Sequence, residues 1–347
     1  MADRVRFGLN RWNFGSAPSF ALDVKAGEEA GWDLALIPSS PLLLADPYVM
    51  LTFAARGTDR IALGPFVETP VLRHPAVLAS SIATLDELAP ERALLTLGSG
   101  DTAVRLLGKE PATVAELEAA TKLTRQLLAG DEMNSGTREA ARLKHARPVP
   151  VWVAAGGLKT LSMAGRVADG VFIRVGRNET NLRSAVEAVH EGARDAGRRT
   201  SDVEIGLVFH TLMTEDHGYA RRVGRSVAAG FYEYSPALFT GPGLSWNGPD
   251  IEKLRERVSP DFHHAPDLAR AGDVVDFLTE EAIDAFMVYG SAIEIRDQLR
   301  AVLALDLGVS TIVVHRLPSG GSPPSGASWK DEFAREVIEQ LEPISVD

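Results

Sequence analysis

The chain has no cysteine among its 347 residues, which excludes disulfides, thiolate metal centres and a cysteine nucleophile. It has no apolar run near the ~20 residues that a membrane-spanning helix requires, so no membrane role is expected. Positive charge is in deficit: 36 Lys and Arg stand against 47 Asp and Glu, for a net charge of −11. A nucleic-acid partner is not expected from that balance. The opening residues Met1-Ala2-Asp3-Arg4-Val5-Arg6 carry no secretory apolar core, so a cytoplasmic protein is expected. What the chain does have is ordinary for a globular enzyme: 45% hydrophobic and 24% charged residues. Its length suits one (β/α)₈ barrel of ~250 residues plus insertions, so residues 1–347 are read as a single domain.

Apolar strand-like runs alternate with amphipathic stretches. The runs are Val5–Leu9, Leu34–Ile37, Ile61–Phe66, Ala93–Leu97, Val149–Ala154, Gly170–Val175, Ile205–Met213 and Ser310–His315. They are continuous rather than alternating, as for parallel strands covered on both faces. Helices are expected over Ser19–Ala30, Tyr48–Arg56, Ala76–Leu88, Val114–Leu128, Leu158–Val167, Asn181–Ala196, Ile293–Leu305 and Trp329–Leu341. Several end on a glycine before the next strand, as at Gly31, Gly170 and Gly308, the usual helix stop. About eight β-α units favour a closed α/β barrel over an open doubly wound sheet. The segment Gly241–Gly272, rich in proline and poor in periodicity, reads as an irregular insertion, and Ser319–Ser328 as a flexible loop.

The most informative motif is Leu97-Gly98-Ser99-Gly100-Asp101, at the end of an apolar run. Two glycines let backbone approach a ligand, and strand carboxyl ends are where such folds bind ligands. Ser99 and Gly100 are candidate binding residues and Asp101 a candidate acid or base. The alternative is that Asp101 caps the turn. Ala154-Ala155-Gly156-Gly157, passing into a helix, would expose amides suited to a phosphate, with Arg174, Gly176 and Arg177 nearby in sequence as counter-charge. A plain β-α loop is the alternative there. His210, inside a strand run, is a candidate substrate contact or a core histidine. His74 reads as a loop histidine at a helix start, and His263-His264 lacks the spacing of a metal site.

The chain resembles the bacterial luciferase-like superfamily, within it the deazaflavin-dependent branch around methylenetetrahydromethanopterin reductase. Four segments carry the likeness in order: Ala26–Asp33 with Leu42–Val49; Leu63–Pro70 with Arg73-His74-Pro75; Leu97–Gly108; and Pro150–Gly157 running on to Ala168-Asp169-Gly170. The resemblance implies a flavin-type ring at the strands' carboxyl ends, backed by a bulge with a non-proline cis peptide at Phe66–Val67. It implies coenzyme contacts from Phe66, Val67, Ser99, Gly100 and the Ala154–Gly157 turn, with Ser39 a further hydrogen-bonding candidate. Ser39-Ser40 departs from the family, since the sugar-phosphate dehydrogenase branch has an Asp-His pair there. Oxidation of a sugar phosphate is therefore not expected.

The expected function is an F420-dependent oxidoreductase exchanging a hydride with a small organic substrate, with Asp101 and His210 as candidate catalytic residues. The alternatives are an FMN-dependent monooxygenase and a non-catalytic flavin-binding barrel. A homodimer is expected, and no metal.

Overall fold

The computed structural model describes residues 4–133, 141–318 and 328–341. The loop expected at Ser319–Ser328 lies, but for Ser328, outside the described residues.

In chain order the elements are β1 (Arg6–Leu9), α1 (Ala17–Ala30), β2 (Leu34–Ile37), α2 (Pro47–Gly57), β3 (Ala62–Pro65), α3 (Pro75–Leu88), β4 (Leu95–Leu97), α4 (Thr102–Arg105) and α5 (Val114–Leu128). There follow β5 (Val151–Ala155), α6 (Leu158–Val167), β6 (Gly170–Ile173), α7 (Glu179–Asp195), β7 (Glu204–Met213), α8 (His217–Tyr234), α9 (Ala237–Thr240) and α10 (Ile251–Arg255). The last are α11 (Leu268–Asp273), α12 (Glu280–Phe286), β8 (Met287–Gly290), α13 (Ala292–Leu303), β9 (Val309–Arg316) and α14 (Trp329–Phe333). Instead of one closing α-helix to Leu341, a π-helical turn at Ala334–Ile338 follows α14.

The local chemistry explains many boundaries. Asp46 caps α2 by accepting from the amides of Tyr48 and Val49, with Pro47 at the first turn. Thr113 and Glu116 form a reciprocal capping box on α5, as do Ser291 and Glu294 on α13. Gly31 ends α1 at φ 103°, a left-handed conformation that costs glycine little.

The described chain forms two compact units: Arg6–Ile173 with Ala188–Gly206, and Met1–Val5 with Arg174–Glu187 and Leu207–Asp347. In the first, β1, β2 and β3 pair in sequence order, as do β4, β5 and β6, all parallel. The registers include Gly8 with Leu34, Leu34 with Ala62, Leu95 with Val151 and Trp152 with Gly170. Bridges Leu63–Ala93 and Glu68–Leu97 join the third and fourth strands. In the second unit β7 pairs parallel with β8, His210 opposite Met287. Its core is apolar, built on Val223, Val227, Phe231, Phe262, Ile283 and Phe286, with α8 packed on α11 and α12. Gly272 permits that packing: a Cβ there would lie 1.7 Å from the Arg222 carbonyl. The expected insertion is built of short helices and turns, and its Phe262 is fully buried. No described helix is long and apolar enough to cross a membrane.

Candidate functional site

In the first unit, the polar candidates follow the carboxyl ends of consecutive strands. Ser39 follows β2, Glu68 follows β3, Ser99-Gly100-Asp101 follows β4, and Ala155-Gly156-Gly157 leads from β5 into α6. Parallel pairing puts these ends on one edge. The Phe66–Val67 peptide is cis. Phe66 packs edge-on against Phe172 at 5.2 Å. Glu68 is then clamped to the next strand by its backbone: its amide donates to the Thr96 carbonyl and its carbonyl accepts from Gly98. Thr69 continues the clamp, its hydroxyl donating to the Ser99 carbonyl at 3.1 Å.

Two glycines shape this loop. A Cβ on Gly98 would lie 2.8 Å from the Val67 side chain. Gly100 has φ 84°, and a Cβ there would meet Val104 at 2.4 Å. Neither position accepts a side chain without movement, so the turn is built for glycine on its own account.

Asp101 stands at the N-cap position of α4 but makes no capping hydrogen bond. Its carboxylate instead accepts from Arg105 Nε at 3.0 Å, a surface pair at i,i+4. The capping role that the sequence leaves open for Asp101 is thus not taken up. Its side chain is about one-third exposed, so a ligand has access to it.

Gly157 is the N-cap of α6, likewise without a side-chain capping bond. It is exposed, and a Cβ there would meet nothing within 4 Å. No side chain caps the first amides of this ten-residue helix, and the space beside Gly157 is open, which suits an anion. Ala154 and Gly156 are half-buried and Ala155 buried.

Sequence reasoning missed the most perturbed carboxyl of this unit. Glu68 is 1% exposed, and burial lifts its carboxyl to about 7 against the opposing pull of Arg73 and of the Ser39 hydroxyl that hydrogen-bonds it. Its Oε1 makes no hydrogen bond, and Arg73 Nε stands 3.6 Å away, too far for one. Arg73 is shared: besides this longer ion pair with Glu68 it makes a closer one with Asp46 and lies over the Tyr48 ring at 5.2 Å. The Tyr48 hydroxyl is buried without a hydrogen bond. Burial first, then the Glu68 charge, push that phenol well above its ordinary range. Ser39 is therefore placed on Glu68. The available signal was a lone acid after an apolar run, Phe66-Val67-Glu68.

In the second unit, His210 is 1% exposed and sits in a series of rings. It stacks on His263 at 4.8 Å, lies 4.6 Å from His315, and meets Phe231 edge-on at 5.5 Å. His263 Nε2 lies 3.0 Å from the Val227 carbonyl, so Nε2–H donates there and Nδ1 is left as acceptor. Arg174 Nη2 lies 2.9 Å from that Nδ1 and 3.4 Å from His210 Nε2, with its guanidinium over the Phe231 ring at 5.3 Å. Burial, then the charge of Arg174, hold His263 well below its ordinary value, so it stays neutral and aims the guanidinium. Its neighbour His264 is paired with Asp261 at 2.8 Å. Among the described residues no group of His, Asp and Glu is placed to hold a metal ion.

Gly176 is explained by packing: at φ 78°, a Cβ would lie 2.3 Å from the Ala285 carbonyl. Arg177 reaches back to Asp284 at 2.9 Å and to the Met287 carbonyl. His74 is the exposed N-cap of α3, accepting from Ala76. Nothing local in the chain signals that His263 joins His210, because contact depends on Gly230 of α8. A Cβ at Gly230 would lie 2.4 Å from the His263 ring. Gly230→Ala is expected to displace that ring and lower stability by ~1–3 kcal/mol, the usual cost of overpacking. Calorimetry of the variant checks this, and an unchanged melting temperature would refute it.

The luciferase-like monooxygenase family model matches residues 21–311. The 5,10-methylenetetrahydromethanopterin reductase of Methanopyrus kandleri is 27% identical, over 96% of this chain and 98% of its own length. An F420-dependent glucose-6-phosphate dehydrogenase of Beutenbergia cavernae is 34% identical over 51% of this chain and 56% of its own. The solved structure of the coenzyme F420-dependent tetrahydromethanopterin reductase from Methanopyrus kandleri superposes with a TM-score of 0.70. That match has 23% identity and covers 98% of this chain and all of the other. The fold is therefore the expected luciferase-like (β/α)₈ barrel. With the family model matching most of its length, the chain belongs to the luciferase-like monooxygenase family.

Proposed function

We propose that this chain is an oxidoreductase that binds F420 and exchanges a hydride between it and a small organic substrate. The observation that carries the reading is the open, uncapped start of α6 at Gly157, on the same strand-end edge as Ser39 and Ser99–Gly100. It fits a coenzyme with a phosphate on its tail. The kinship with F420-dependent enzymes supports F420 over FMN. The single family model, running through both compact units, supports one functional domain over 1–347.

When bound, a deazaflavin supplies the donor or acceptor for one hydride. The rest is the protein's work. The amides at the start of α6 hold the anionic tail, aided by the helix dipole. Phe66 and Val67 back the ring, and Ser99, Gly100 and the Ala154–Gly157 turn give it backbone contacts. Asp101, open to solvent, holds or moves the substrate's proton. A cytoplasmic homodimer completes the proposal. Exposed Val49 and Phe53, four residues apart on α2, support it together with Leu42 and Leu43.

Titrating the protein with F420 and with FMN, read by fluorescence or calorimetry, tests the coenzyme assignment. F420 is expected to bind more tightly, and stoichiometric FMN with no F420 binding would move the enzyme to monooxygenase chemistry. Gly157→Asp sharpens the test. An Asp cap suits a helix start as well as or better than Gly, so stability should hold, while its charge competes with the phosphate. F420 affinity should fall by about tenfold or more, and unchanged affinity would remove α6 from the site.

A further inference from the structure

The cluster around Glu68 contains one cation and two carboxyl groups. Asp46, the cap of α2, takes Arg73 in a direct ion pair. Glu68 is left with the Ser39 hydroxyl and the Thr69 amide as its donors, and its buried Oε1 makes no hydrogen bond, with Arg73 Nε 3.6 Å away. The charged and titratable groups acting on it are Arg73, Asp46 and Tyr48, from the segment before α3 and the start of α2. From β4, Thr96 meets Glu68 through its backbone carbonyl, and its side chain carries no charge. An ionised Glu68 would thus be an underpaired buried charge, which is costly, and a proton removes it.

Its position makes this matter for binding. Glu68 is the next residue after Val67 and is paired by both backbone groups to the strand that ends in Gly98-Ser99-Gly100. We propose that Glu68 is a proton-linked positioning residue of the coenzyme site: an anionic coenzyme held against Phe66–Val67 and Ser99–Gly100 binds most tightly when Glu68 carries its proton, so binding takes up a proton. This rests on the F420 reading above. With Glu68 neutral, the Arg73–Asp46–Glu68 set has no net charge, and with Glu68 ionised it carries one negative charge on the strand-end edge that takes the anionic coenzyme. The carboxyl is too enclosed to touch substrate, and acts through that charge and through the Ser39 hydroxyl it holds.

The test is calorimetric titration of the whole protein with F420 at pH 7 in two buffers of different ionisation heat, for the natural chain and for Glu68→Gln. The natural chain should take up a fraction of a proton, and its dissociation constant should rise about tenfold between pH 6 and pH 8.5. Glu68→Gln should take up none and keep its low-pH affinity throughout. A second readout needs no coenzyme: the carboxyl carbon resonance that disappears in Glu68→Gln should titrate near neutrality in the apoprotein and shift to higher pH on adding F420. Equal proton uptake by both proteins, or an ordinary acidic midpoint for that resonance, overturns the proposal. If only FMN binds, the F420 reading falls, and the same two-buffer titration with FMN decides the linkage. If neither binds, both fall.

Discussion

Glu68→Gln is expected to make the apoprotein more stable at alkaline pH, by roughly 3 kcal/mol above pH 8. The carboxyl stands at about 7 in the folded chain against an ordinary 4.5, and each pKa unit is worth about 1.4 kcal/mol. The sign follows from proton counting. Between the ordinary and the raised value the folded chain binds a proton that the unfolded chain has released, so stability falls as pH rises. Below about pH 4.5 both states are protonated and nothing is lost, whereas above about pH 7 the loss is complete. Gln keeps the shape and the acceptor for Ser39 but has no charge to desolvate. Its melting curve should coincide with that of the natural chain near pH 4 and run about 5 °C higher by pH 8.5. Parallel curves across that range would show that Glu68 is ionised and well paired when folded.

The legible parts of the chain were those where local pattern and burial agree. Continuous apolar runs such as Leu34–Ile37 and Val151–Ala155 are strands because both faces are covered. All eight expected strands appear, within two residues at each end. β8 was missed because Met287–Gly290 is four residues, follows α12 without a break, and extends the apolar run Ala285-Phe286. α8, the longest helix, was missed because Gly224 and Gly230 interrupt it. Both glycines have packing reasons that only three dimensions reveal: Gly224 faces Ile283 and Gly230 faces His263. The candidate site divides in the same way. Ser99-Gly100-Asp101 and the Ala154–Gly157 turn were visible as motifs because strand-to-helix turns are local. Glu68 was not, since its meaning depends on Ser39, Tyr48 and Arg73, from two other chain segments, and on the absence of a donor for Oε1. Likewise His263, deep in a segment that reads as irregular, gains its place from the rings and the guanidinium around it.

Asp101→Asn is expected to reduce turnover by ~10²–10⁴-fold while leaving stability almost unchanged. The rate figure is what a positioned acid or base contributes to proton transfer. The stability figure follows from the geometry. Asp101 makes no capping bond on α4, and its pair with Arg105 is a surface pair with both side chains about one-third exposed or more. Such pairs contribute at most about 1 kcal/mol. Asp101→Ala should therefore also cost less than about 1 kcal/mol, which would separate it from a true cap residue at the same position. The neighbouring turn does not depend on Asp101, because Thr69, Gly98 and Gly100 fix it through backbone contacts. Coenzyme affinity should accordingly change little in either variant, so that the loss appears in kcat. Steady-state kinetics, F420 titration and melting curves on both proteins separate the roles. Full turnover in Asp101→Asn would remove Asp101 from proton transfer, whereas weakened F420 binding at unchanged kcat would make it a coenzyme contact.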